Sequence, residues 1–204
     1  VDVGNLYFAE QVFDMAVSYY NQAETVFWKY KETFDLPYQT GLSVCYNNKG
    51  LVFRELGEKD SALVYFKKGL EMRIQIGDSM LIAHSYNYIA GVFKLNNELD
   101  SAYFYLKKAL QIVHQIPFHP EYVNTYKNFG NLLLEKGETD TALEYFQEGY
   151  QQCIQFNLRI EQSQLLESIA SVYLKKAQAD SAEYYLKKAY DVADSCMAWS
   201  EKKN

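Results

Sequence analysis

The chain has 204 residues, of which 49% are hydrophobic, 16% aromatic and 23% charged, and its formal net charge is −6. That is the composition of a folded chain, not a disordered one, and the length suits one domain or one repeat array. A negative balance without a basic cluster argues against a general nucleic-acid binder, and no apolar run approaches the ~20 residues of a membrane-spanning helix.

Only three prolines and ten glycines interrupt the sequence, which favours long helices over many short strands. The chain begins at Val1 rather than at a methionine, which points to a fragment or a processed product.

Read in order, the sequence repeats itself. "VGNLYFAEQVFD" (3–14) followed by "MAVSYYNQAE" (15–24) introduces a two-part phrase. The first part returns as "YNNKGLVFRELGEKD" (46–60), "YNYIAGVFKLNNELD" (86–100), "YKNFGNLLLEKGETD" (126–140) and "LESIASVYLKKAQAD" (166–180). The second returns as "DSALVYFKKGL" (60–70), "DSAYFYLKKAL" (100–110), "DTALEYFQEGY" (140–150) and "DSAEYYLKKAY" (180–190). The interval is 40 residues, except for the first, where six extra residues fall around "FDLPYQT". Five units follow, at approximately 1–36, 37–77, 78–117, 118–157 and 158–200, forming a single array over 1–204.

Each unit reads as two helices. Tyr86, Ile89 and Phe93, or Tyr126, Phe129 and Leu133, recur at three- and four-residue steps and share a helical face. Ala102, Leu106, Ala109 and Leu110 do the same in the second phrase. The polar turn between them carries Gly57 or Gly137, suited to a helix C-cap. Asp60, Asp100, Asp140 and Asp180, each followed by Ser/Thr-Ala and an apolar run, are expected to N-cap the second helices, and Asp180 with Glu183 forms an Asp version of the capping box.

Small residues at Ala62, Ala102, Ala142 and Ala182, and again at Gly69, Ala109, Gly149 and Ala189, let neighbouring helices approach, while Phe66, Leu106, Phe146 and Leu186 fill the space between them. One such pair cannot bury its apolar face alone, so stacking is required. The pairs Lys67-Lys68, Lys107-Lys108 and Lys187-Lys188 read as a solvated face, broken at Gln147-Glu148.

Catalytic and metal signatures are missing: the sequence holds no Gly-rich phosphate loop, nucleophile elbow, H-E-x-x-H or C-x-x-C. Cys45, Cys153 and Cys196 are odd in number and widely spaced, and read as small buried apolar residues. His84, His114 and His119 are scattered; a metal at His114 and His119 lacks a third ligand. No cofactor is expected.

The order of large aromatic, small residue, turn glycine and Ala-Phe-Gly contacts resembles the tetratricopeptide repeat (TPR) family. In the fourth unit it reads Tyr126, Gly130, Leu133, Gly137, Ala142, Phe146 and Gly149. The usual period of that family is ~34 residues, so this is a long-period variant, similar to sensor segments of bacterial signalling proteins. The resemblance implies an all-α fold, a right-handed α-solenoid of five helix-turn-helix repeats, with a concave groove lined by the first helices.

Carried over by position, the candidates for binding a protein or peptide segment in that groove are Asn47 and Arg54, then His84, Asn87 and Lys94, then Lys127 and Asn131, then Ser171 and Lys175, flanked by Leu51, Leu134, Gln164 and Glu167. Lys127 and Asn131 resemble half of the clamp by which some TPRs hold a terminal carboxylate. The resulting expectation is a non-catalytic protein- or peptide-binding scaffold, the sensor or regulatory segment of a larger bacterial signalling or transcription-regulatory protein. The alternative is a structural assembly protein that self-associates through its terminal helices, and a homodimer through the C-terminal helix stays open. Compartment is not legible.

Overall fold

The computed structural model describes residues 1–30, 35–116 and 119–201, without the side chains at 35–37, 121 and 196–201. Pro117 lies outside the described residues, as do the side chains of Pro37 and Cys196. Among those described, the chain forms α1 (Asp2–Ala9), α2 (Phe13–Lys29), α3 (Asp35–Glu55), α4 (Lys59–Ile76), α5 (Ser79–Leu95) and α6 (Leu99–Val113). A 3-10 turn (Pro120–Tyr122) then leads into α7 (Val123–Lys136), α8 (Thr139–Gln155), α9 (Arg159–Lys175) and α10 (Ala179–Glu201). No strand occurs among the described residues. The chain is an all-α array of helix pairs and divides into two compact units, residues 1–112 and 113–204.

The turn inside every pair has one construction. Gln11, Gly57, Asn97, Gly137 and Ala177 all adopt left-handed backbone, with φ of 59°, 75°, 59°, 85° and 55°. The next amide then reaches back six residues counting both ends, as in Glu58 N–H to Phe53 O (2.8 Å), Glu138 N–H to Leu133 O (2.9 Å) and Gln178 N–H to Tyr173 O (2.9 Å). That same residue's carbonyl starts the second helix by accepting from Ala62, Ala102, Ala142 or Ala182 N–H at 2.9 to 3.1 Å.

This construction displaces the expected caps. Asp60, Asp100, Asp140 and Asp180 are the second residues of α4, α6, α8 and α10, inside the helix rather than before it. The N-caps of α4 and α8 are Glu58 and Glu138, and neither makes a side-chain capping bond. The left-handed residue sets the first helical amide close behind it, so the aspartate arrives two positions late. There its charge meets the positive end of the helix dipole, and Asp140 pairs with Lys176. A side-chain cap does occur at Asp78, whose Oδ1 accepts from Leu81 N–H at 3.0 Å at the head of α5.

Packing within each pair follows from size matching. An added Cβ on Gly4 would stand 2.5 Å from the Tyr20 ring, on Gly50 2.6 Å from Phe66, and on Gly130 2.5 Å from Phe146. Where the first helix instead carries Ala90 or Ala170, the second carries the slimmer Leu106 or Leu186. One turn away the two helices stack rings: Tyr7 on Tyr19, Phe53 on Tyr65, Phe93 on Tyr105 and Tyr173 on Tyr185, with centroids 5.2 to 5.5 Å apart. The fourth pair has Leu133 at that register, and Tyr145 turns edge-on to Phe129 instead, at 4.8 Å.

The paired lysines are less uniformly solvated than their pattern suggests. Lys68 lies over the rings of Tyr46 and Tyr65, Lys108 over Tyr86 and Phe104, and Lys188 over Tyr150. In the fourth pair Glu148 replaces the lysine. It accepts from the Tyr126 hydroxyl at 3.2 Å, with His114 Nε2 at 3.5 Å. Burial first, and the Glu148 carboxylate second, hold the Tyr126 hydroxyl well above the usual phenol range.

Candidate functional site

Within each unit the first helices carry half-buried or exposed positions directly beside the packed ones. The clearest stretch lies in the unit formed by residues 113–204, where α7 and α9 are neighbours. Lys127 on α7 donates from Nζ to Gln164 Oε1 on α9 at 2.5 Å. Lys175, at the end of α9, donates back to the Leu134 carbonyl of α7 at 2.5 Å. That bond satisfies a carbonyl in the last turn of α7, where a cation also suits the negative end of the dipole.

Between these two lysines stand Asn131, half-buried and making no side-chain hydrogen bond to a described residue, and Ser171, exposed, with its hydroxyl donating to Glu167 O at 3.0 Å. Partial burial depresses the Lys127 ammonium below the ordinary lysine range, and the carboxylates of Glu161 and Glu167 push it partly back up. The result is a polar ledge holding two cations, an amide and a hydroxyl within reach of extended peptide backbone or a carboxylate.

In the unit of residues 1–112 the candidates separate. Asn47 is only 3% exposed. With its amide oxygen turned toward α4, it accepts from the buried guanidinium of Arg73. It is a structural polar residue and is closed to any ligand. Arg54 closes on its neighbour Glu55, Nη2 to Oε1 at 2.8 Å. His84, Asn87 and Lys94 lie half-buried along one face of α5, and Asn87 Nδ2 donates to Ala83 O at 3.0 Å. Between them falls Gly91, where an added Cβ would meet no atom within 4 Å. A mid-helix glycine costs about 1 kcal/mol relative to alanine, and here no packing contact requires it.

Two buried cations were not legible as such. Arg73, 5% exposed, donates to Leu81 O (3.0 Å) and Ser85 Oγ (2.9 Å) on α5 while holding Asn47 on α3, so one guanidinium staples three helices. Burial pushes its pKa down to about 10. Lys49, 2% exposed, pairs with Glu24 of α2 and lies over the Tyr65 ring. Their sequence neighbours read as helix surface, and only the contacts from adjacent helices reveal the burial. Among the described residues no group of three or more His, Cys, Asp or Glu side chains could hold a metal ion, and no helix is long and apolar enough to cross a membrane.

Tetratricopeptide-repeat family models match residues 42–76 and 81–155, together more than half of the chain. The chain belongs to the tetratricopeptide-repeat family. No curated protein sequence matches it significantly. Among solved structures it is similar to BtubC (BKLC) from P. vanneervenii, with 19% identity and a TM-score of 0.78, covering 95% of this TPR chain and 78% of that one. The apo form of RapI is similar at 16% identity and a TM-score of 0.70, covering 97% and 82%. The Rap conjugation gene regulator of plasmid pLS20, solved in complex with a Phr peptide, matches at 18% identity and a TM-score of 0.72; 95% of this chain aligns with about half, 52%, of that regulator. At these identities the likeness is one of fold.

Proposed function

We propose that this TPR chain is a non-catalytic scaffold that binds a protein or peptide segment along the faces of its first helices, as the sensor or regulatory part of a larger signalling protein. The observation that carries the reading is the register shared by Leu51, Gly91, Asn131 and Ser171. These four positions are equivalent in successive repeats, none is fully buried, and their chemistry differs from one repeat to the next. The packed positions next in sequence keep their type, as Val52, Val92, Leu132 and Val172 do. Leu51 also packs partly against the core, whereas Gly91, Asn131 and Ser171 leave room at their positions for a ligand to be read. The Rap regulator of the same fold, solved with a peptide, supports the choice of ligand class.

A peptide array tests this with three variants: Gly91→Leu, which fills the open stretch of α5, Lys127→Ala and Asn131→Ala. Captured peptides should lose about tenfold or more in affinity with at least one of them, the equivalent of ~1.4 kcal/mol. If every captured peptide binds all three variants as well as the parent, or if none is captured, the reading is wrong.

A further inference from the structure

Where the second repeat meets the third, the contact is apolar. Ile89 of α5 lies in one buried cluster with Phe66 of α4, and Leu70 of α4 packs against that cluster. Further along the sequence the registers of Leu70 and Ile89 hold Leu110 and Phe129, then Tyr150 and Ile169. Leu110, Phe129 and Ile169 are buried.

The joint between the first and second repeats departs from this on both sides at once. Glu24 of α2 stands in the register of Leu70, and Lys49 of α3 stands in that of Ile89. The two form an ion pair, with the lysine side chain 2% exposed and the glutamate 24%. The Tyr46 hydroxyl donates to the other carboxylate oxygen at 3.1 Å, and the Lys49 ammonium also lies over the Tyr65 ring of α4, 5.3 Å from its centroid.

Such an exchange gains little stability, because stripping water from two charges offsets most of their attraction, and an apolar pair of similar size serves as well or better. What it adds is selectivity. The other second helices would bring Leu70, Leu110, Tyr150 or Tyr190 to this place. A buried ammonium set against any of them has lost its water without gaining a counter-charge. The connector makes selectivity matter here: residues 30–34 separate α2 from α3, whereas 77–78 separate α4 from α5 and 156–158 separate α8 from α9. A longer connector restricts less which faces can meet.

We infer that the Glu24–Lys49 pair is a key that sets repeat order, making α3 accept α2 and refuse the other second-helix faces, of this chain or of a second copy, while the array assembles. The pair is the part of the joint that distinguishes α2, since the small and aromatic residues beside it, Ala16 and Tyr20, have counterparts in Ala62 and Phe66 or Ala142 and Phe146.

Refolding from urea over a concentration series, followed by circular dichroism and light scattering, tests this on the 204-residue chain. Glu24→Leu strands the buried lysine and should lower the folding equilibrium constant by about a hundredfold or more. The double variant Glu24→Leu/Lys49→Ile carries the apolar pair of the next joint and should be at least as stable as the parent. It should nevertheless refold with an added slow phase and an associated fraction above the parent's that grows with concentration, because its faces are now interchangeable. Glu24→Lys/Lys49→Glu keeps a key of reversed sign and should refold as the parent does. An apolar double that refolds with the parent's rates and mass at every concentration overturns the proposal. So does a reversed pair that misassembles like the apolar one, an apolar double as unstable as Glu24→Leu, or a Glu24→Leu variant as stable as the parent.

Discussion

Gly130 and Phe146 claim the same volume: a Cβ on the glycine would stand 2.5 Å from Cε1 of the ring. Gly4 and Gly50 repeat the relationship with Tyr20 and Phe66, while the other two repeats use Ala with Leu. Close approach of the two helices therefore depends on the combined size of one residue from each. Gly130→Ala should lose about 1–3 kcal/mol by overpacking, and Phe146→Leu should lose about 1 kcal/mol or more by leaving a cavity. The double variant recreates the Ala–Leu pairing of the third and fifth repeats. It should be more stable than the sum of the two losses predicts by over about 1 kcal/mol, as read from urea denaturation of all four proteins. Additive losses would show that the two sites do not share the space.

Asp60 and Asp78 make a matched comparison, since both stand near the start of a helix. Asp78→Ala removes a hydrogen bond to Leu81 N–H and should cost about 1 kcal/mol. Asp60→Ala removes a charge from the first turn of α4 and should cost only a few tenths of a kcal/mol at low salt. Raising the salt concentration should erase most of the second effect and leave the first, because screening acts on the charge–dipole term and not on a capping geometry. Equal losses at both sites would restore the aspartate phrase as a capping signal.

Ala177 holds φ at 55° in a turn where Gly57 and Gly137 sit at 75° and 85°. A left-handed alanine costs about 1–2 kcal/mol, of which glycine gives back part through unfolded-chain entropy. Ala177→Gly should stabilise the protein by up to about 1 kcal/mol, and Gly137→Ala should destabilise it by a similar amount. Thermal melts of the two variants should shift in opposite directions.

Lys127 supplies a pH test of the proposed face. Burial lowers its pKa, so the folded protein gives up this proton at a lower pH than a free lysine does. An anionic ligand binds the charged form, and affinity should therefore fall as pH rises from neutral toward the ordinary lysine range near pH ~10. Lys127→Arg should remove that fall, since the guanidinium stays charged throughout. Calorimetric titration with an acidic peptide taken from the array measures both, and a parent affinity that does not change with pH would separate Lys127 from the ligand.

The Arg73–Asn47 pair shows why part of the site could not be read in advance. Asn47 occupies a first-helix position, and its residue type does not distinguish it from Asn131 or Asn87, which are only half-buried. What holds it is an arginine 26 positions later, together with the close approach of its side chain to the small Gly69. Gly91 is a second residue whose place only the packing reveals. Gly50 and Gly130, one position earlier in the repeat, are glycines because a ring needs their space, whereas a Cβ on Gly91 would meet no atom within 4 Å.

The sequence by itself determined the helix pairs, the turn between them, the 40-residue interval and the size matching of Gly or Ala with Phe, Tyr or Leu. These are local or strictly periodic requirements, set by 3.6-residue helical geometry and by volumes that recur in every repeat. Only the tertiary structure decided which polar residues were free to act. It buried Asn47, Lys49 and Arg73, laid Lys68, Lys108 and Lys188 over tyrosine rings, moved the aspartates from cap to first turn, and left Asn131, Ser171 and Gly91 open. A long polar side chain can reach several partners from one backbone position, and which of them lies within about 3 Å depends on neighbours that helical periodicity does not specify.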